Sequence, residues 1–165
     1  MNTPHTEKFV EKSSAYEKDR RAWISILSKA NARDVLQLWD EIGPADIMHS
    51  AQVLRPPETG MVMVQGRAGG AGSAFNLGEM TVTRCAIRLQ SGESGVGYVT
   101  GRSKSHAKIA AIVDAMMQSP VHKQVAHERI IAPLENAAQE RRNSISRKAK
   151  ATQVEFFTMV RDRKA

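Results

Sequence analysis

The sequence predicts an α+β fold: an N-terminal helical hairpin, a small, mostly antiparallel β-meander of about four strands, C-terminal helices and an extended apolar tail. Three observations predict it. Apolar residues recur at helical spacing up to Ile42, alternate by two between residues 51 and 100, and return to helical blocks after Ser103. The 165 residues are read as one domain, long enough to bury a core.

The elements follow in order. Ser14 and Glu17 form an S-x-x-E capping box, which predicts a helix start near Ala15. Ala22, Trp23, Ile26, Leu27 and Ala30 continue it, and Asn31 interrupts. Val35, Leu36, Leu38, Trp39 and Ile42 make a second amphipathic helix, ended by Gly43-Pro44. Two short helices in tandem raise the helix-turn-helix. The second one, ARDVLQLWDEI, offers Asp34, Asp40 and Glu41 against a single Arg33, and a recognition helix needs donors rather than carboxylates. A plain helical hairpin is the better reading.

From residue 51 the period is two. QVLRPPETG reads as a short strand broken by Pro56-Pro57, and GMVMVQGR as a second strand. A glycine-rich loop follows, then SAFNLGEMTVTRCAIRL. There Thr81, Thr83, Cys85, Ile87 and Leu89 face one way, and Val82, Arg84, Ala86 and Arg88 the other. QSGESG is a turn and VGYVTGRS the last strand. Ser103 or Ser105 caps a helix that runs to Gln118, so apolar in its middle that it should lie buried across the sheet. VHKQVAHERII is a further helix, stopped near Pro133, and PLENAAQERRNSISRKAKA a third. Phe156, Phe157, Met159 and Val160 cluster in the tail, residues 152–165. Such residues near a chain end imply burial, in the chain's own core or against a partner.

Composition excludes several classes. With no run of eighteen apolar residues, no membrane span is expected. The polar N-terminus lacks a signal-peptide core, so a cytoplasmic location is expected. The single cysteine, Cys85, permits no internal disulfide or cysteine metal cluster, and its mid-strand place implies a buried, inert thiol. The formal net charge is +7, and residues 141–165 carry eight basic and two acidic side chains, while residues 22–140 balance at eleven of each. A neutral body with a basic end is either an arm for an acidic surface, protein or nucleic acid, or a solvated helix.

The glycines of QGRAGGAGSAFNLGE fit neither nucleotide motif. No Lys-Ser or Lys-Thr follows them, and they open a strand-like stretch rather than a helix. A hairpin loop is the stronger reading, with Arg67, Gly69 and Gly70 left as candidates for closing over an anion. In GRSKSHA, Arg102, Lys104 and His106 cluster where a strand turns into a helix, a place that favours phosphate or carboxylate, although an ordinary capped start looks the same. His5, His49, His106, His122 and His127 show no metal-ligand spacing, and no metal site is expected. No catalytic constellation emerges, so a binding or structural role is expected.

RPPETGMVMVQGRAGGAGSAFNLGEMTVTRCAIRL, GYVTGRSKSHAKIAAIVDAMMQ, RIIAPL and VEFFTMVR, in this order over roughly residues 21–161, resemble the PhnG subunit of the bacterial carbon–phosphorus lyase system. Residues 1–20 then look like an N-terminal extension. The resemblance implies a subunit of a phosphonate-processing complex with PhnI-, PhnH- and PhnJ-like partners, the PhnI-like one first. That complex joins an alkylphosphonate to the ribose C1 of ATP and expels adenine. The resemblance implies an accessory rather than catalytic chain that binds no cofactor: ATP is a substrate of the complex, and an iron–sulfur cluster and S-adenosylmethionine belong to the PhnJ-like subunit. Phe156, Phe157, Met159 and Val160 become candidates for partner contact, and Arg67, Arg84, Arg102 and Lys104 for positive potential near a triphosphate held by a neighbour. Away from its partners the subunit could pair with itself. The alternative is a basic nucleic-acid-binding protein.

Overall fold

The computed structural model describes residues 4–42, 45–68 and 72–152, with the backbone alone over 4–15 and at 45. The tail residues Phe156, Phe157, Met159 and Val160, and Gly69 and Gly70, lie outside the described residues.

Helices α1 (Pro4–Lys29), α2 (Ala32–Ile42) and α3 (Ala45–Ser50) precede strands β1 (Gln52–Arg67), β2 (Ala74–Arg88) and β3 (Ser94–Thr100). Helix α4 (Lys104–Gln118) follows, then α5 (Lys123–Ala126), a π-helical turn at His127–Ile131 and α6 (Ala132–Ala151). Among the described residues the strands form one antiparallel sheet in the order β1-β2-β3. Helix α4 is the centre of the fold. It packs on all three strands, and α1, α2 and α5 pack against it. Being apolar on all sides, it can be covered on all sides, and Ala107, Ile109 to Ala111, Ile112, Val113 and Ala115 to Met117 are buried. Thus the predicted helical pair is held largely through a third helix: α1 also meets β3 and α6, and α2 meets the π turn.

Three expectations are corrected. The first helix does not start near Ala15; its backbone is helical from Pro4, so the Ser14–Glu17 box lies inside it. QVLRPPETG and GMVMVQGR are one sixteen-residue strand, not two, so the sheet has three strands rather than four. Pro56 and Pro57 fall where the pairing register shifts between Arg55 and Glu58, on an edge strand. A residue without an N–H is tolerated there because no ladder bond is asked of it. Pro133 does not stop a helix. It stands in the first turn of α6, directly after the π turn. The wider turn absorbs the carbonyl that a proline ring would strike in a regular helix. Helix α3 was not anticipated.

Two close approaches fix α4 on β3. Ideal Cβ atoms at Gly95 and Gly97 would each stand 1.9 Å from a helix carbonyl oxygen, of Ala111 and Ala107 respectively. Only glycine lets strand and helix backbones come this near.

Candidate functional site

The turn between β3 and α4 was a predicted anion site. Gly101 turns the chain with φ of 94°. Its N–H donates to the Thr81 carbonyl at 2.9 Å, and its carbonyl accepts from the Thr83 hydroxyl at 2.7 Å. Ser103 is the N-cap: its Oγ accepts from the His106 amide at 3.2 Å. Arg102 and Lys104 are exposed, but His106 is wholly buried. Its Nε2–H donates to the Leu27 carbonyl at 3.0 Å, near the end of α1 where carbonyls lack helical partners. Nδ1 has no partner. The three basic residues therefore do not converge, and His106 joins two helices.

Burial lowers the pKa of His106 from the ordinary 6.5, against a smaller opposite effect of the Leu27 bond. The sign follows directly. The unfolded chain takes up this proton first, so the contribution is complete above the unfolded value and is lost as pH falls through it toward the lower folded one. Thermal melts at about pH 7.5 and pH 5 should show a drop on acidification. His106→Gln, which keeps a donor for Leu27, should flatten that part of the slope. An unchanged slope would exclude His106 as its source.

Arg84 stands on β2 opposite Tyr98, on the sheet face away from Ile87 and Cys85, with Glu58 at 3.4 Å. Both side chains of this ion pair are about half exposed, so it contributes little to stability. Arg67 ends β1, opposite Ala74. Arg84 pairs with Glu58, nine residues earlier on β1, so the two arginines are roughly 30 Å apart along the strand. They cannot share a ligand phosphate. The glycine loop joins two antiparallel strands, as a hairpin connection does, and the Gly72 N–H donates to the Ala68 carbonyl at 3.1 Å.

One buried carboxylate escaped the sequence reading. Asp114 is fully buried in α4. Its oxygens accept from Arg20 at 2.8 and 3.2 Å, from the Trp23 indole at 2.9 Å and from the Val96 amide at 2.9 Å. The carboxylate bond raises the pKa of Arg20, more than burial lowers it. Gln118 donates to the Ser94 carbonyl at 2.9 Å. Asp114 and Gln118 thus occupy backbone groups of the edge strand β3. A lone acid inside KIAAIVDAMM was the available signal. Cys85 is buried and free, near the Arg55 carbonyl at 3.4 Å, and burial raises its pKa, as an inert thiol requires.

The remaining surfaces are shallow. A groove of about 280 Å³ between α1, α4 and the C-terminal helices is lined by Ala22, Ile26, Met117 and Ile131, with charged residues around it. It is small for a ligand pocket. Among the described residues no three His, Cys, Asp or Glu side chains group as metal ligands, and no helix is long and apolar enough to cross a membrane. Arg141, Arg142, Arg147, Lys148 and Lys150 are exposed on α6, and Arg141 reaches Asp34 at 3.4 Å.

The large exposed apolar residues concentrate elsewhere. Met61, Met63, Phe75, Leu77 and Met80 lie on the β1–β2 ribbon, and Val96 and Tyr98 on the open face of β3. Such a distribution belongs to a chain that meets other proteins. Residues 18–162 match the family model for "Phosphonate metabolism protein PhnG". The chain belongs to the PhnG family. It is also 42% identical, over 145 residues, to the "Alpha-D-ribose 1-methylphosphonate 5-triphosphate synthase subunit PhnG" of Rhizobium meliloti (strain 1021). That alignment covers 86% of this chain and 88% of the relative. The PhnG match begins inside α1, whose helical backbone runs on unbroken from Pro4.

Proposed function

We propose that this PhnG-family chain is a non-catalytic subunit of an alkylphosphonate–ribose triphosphate synthase. The observation that carries the reading is the 42% identity, over most of both chains, to a subunit of that name. The reaction joins a phosphonate oxygen to the ribose C1 of ATP as the bond from C1 to adenine breaks. Among the described residues, buried His106 and Asp114 are tied into the fold, His106 to Leu27 and Asp114 to Arg20, Trp23 and Val96. That supports an accessory role, with the chemistry on other subunits. The alternative of a nucleic-acid-binding protein is not supported, since the family match and the relative both point to phosphonate metabolism.

Its partners are PhnI-, PhnH- and PhnJ-like subunits in the cytoplasm, the PhnI-like one first. The chain binds no cofactor, and iron–sulfur and S-adenosylmethionine chemistry belongs to the PhnJ-like subunit. Exposed Arg67, Arg84, Arg102 and Lys104 supply positive potential near a triphosphate held by a neighbour, and Arg67, Gly69 and Gly70 are kept as candidates for closing over an anion. Phe156, Phe157, Met159 and Val160 are kept as tail contacts to a partner. Co-expression with the PhnI-like subunit of the same organism, followed by size-exclusion chromatography with light scattering, tests the reading. A stable joint peak is expected; separate elution of the two proteins would contradict it.

A further inference from the structure

We infer that the β1–β2 ribbon beyond β3 is an arm that inserts into an uncharged, apolar cleft of another synthase subunit. The inference rests on the proposed function and adds which part of this chain enters the partner.

The sheet has three strands only at its base. β3 pairs with β2 over Val82 to Arg88, whereas β1 and β2 continue pairing out to Arg67 and Ala74. The outer seven residues of β1, from Met61 to Arg67, extend the ribbon by roughly 23 Å beyond the three-stranded base. A two-stranded ribbon is marginal in water by itself. This one is also apolar on both faces. Met61 and Met63 stand opposite Thr81 and Glu79 on one face, and Val62 and Val64 opposite Met80 and Gly78 on the other. Met61 is 68% exposed, Met63 57% and Leu77 66%. Phe75 and Met80 are exposed on the same ribbon, and apolar side chains gathered on one exposed element mark an interaction site.

The ribbon is nearly free of charge. Residues 60–81 contain Arg67 and Glu79 as their only charged side chains, in a chain with 24 basic and 17 acidic ones. Its edges are open as well. Among the described residues no strand pairs with the outer edge of β1, or with β2 from Ala74 to Met80 on the side away from β1. Yet the same fold covers groups on the exposed edge of β3 with Asp114 and Gln118. Soluble folds guard free edges with charge, bulges or cover. Here the base of β1 has its prolines and two register shifts, whereas the distal part has no proline and a single shift, between Val64 and Gln65.

The occupant follows from this geometry. Two faces and two edges need cover together. Edge-to-edge pairing with a second copy would cover one edge and leave both faces wet. A cleft covers all four, and an uncharged ribbon selects an uncharged, apolar lining with backbone groups free at its walls.

The full-length Met63→Asp/Leu77→Asp variant tests this, with Ile145→Asp, an exposed apolar residue on α6, as control. Each is measured for binding to the co-expressed remaining synthase subunits by interferometry. Because both arm residues are exposed in the free chain, the variant should melt like the wild type. It should bind about 100-fold more weakly, as loss of buried anchors does, while the control binds normally. Hydrogen exchange of the unmodified chain should show amides 60–67 and 74–80 protected on assembly. Wild-type affinity in the arm variant, or unchanged exchange in those segments of an assembled complex, overturns the inference and leaves the proposed function intact. So does a dimer of the isolated chain that the arm substitutions dissolve while assembly persists. If the unaltered chain binds none of the subunits, the proposed function fails, and the arm inference falls with it.

Discussion

Gly97→Val is expected to prevent folding, and Gly97→Ala to cost more than about 3 kcal/mol, at the upper end for overpacking. A Cβ at Gly97 would lie 1.9 Å from the Ala107 oxygen, 2.9 Å from its carbon and 3.0 Å from the Ala111 nitrogen. These are backbone atoms of the central helix, so no rotamer change relieves the clash. Relief means lifting α4 from β3, which opens the contact that also buries Val99, Ile112 and Ala111. Gly95 repeats the situation one helical turn on, where the added atom would meet Ala111 and Ala115. For a chain of this size the alanine variant should melt roughly 10 °C lower. Gly78→Ala is the matched control, because no atom lies within 4 Å of its added Cβ. Equal melting temperatures for Gly97→Ala and Gly78→Ala would contradict the packing described.

Asp114→Ala is expected to be nearly as damaging, at about 3–5 kcal/mol, the usual cost of breaking a buried ion pair from one side. The carboxylate joins three elements: Arg20 and Trp23 of α1, its own helix, and the Val96 amide of β3. Its removal strands an indole N–H, a backbone N–H and a guanidinium together. Arg20→Met should cost less, about 1–3 kcal/mol, because Asp114 keeps two neutral donors and Arg20 is partly exposed. Chemical denaturation of both variants checks the order, and Trp23 emission reports the loss of the indole bond in any folded Asp114→Ala. A smaller loss for Asp114→Ala than for Arg20→Met would reverse the account.

The legible parts of the fold were those where local signals and tertiary packing agree. The apolar run after Ser103 gave α4 and its cap. Alternation from Thr81 to Leu89 gave the base of β2. Prolines misled where context removed their usual penalty: Pro56-Pro57 on an unpaired edge, Pro133 after a π turn. The Ser14–Glu17 box misled because a capping pair does not forbid helix upstream.

The candidate site was less legible, because position along a strand or helix does not disclose direction. Arg102, Lys104 and His106 are neighbours in sequence. Yet His106 falls on the same side of α4 as Ala110, Val113 and Met117, and goes into the core. The arm was hidden for another reason. Met61, Met63, Phe75 and Leu77 look like core residues of a hairpin, and only the shortness of β3 shows that the fold leaves them uncovered. Apolar residues on both faces around a glycine loop flanked by Arg67 and Glu79 alone were the available signal.

The most direct test of the central claim is adenine release from ATP and methylphosphonate by the reconstituted subunits, with and without this chain. Release is expected when all subunits are present, with a loss to background when this chain is omitted and none from this chain alone. Full activity without it, or turnover by the chain in isolation, would contradict a non-catalytic subunit that the synthase requires.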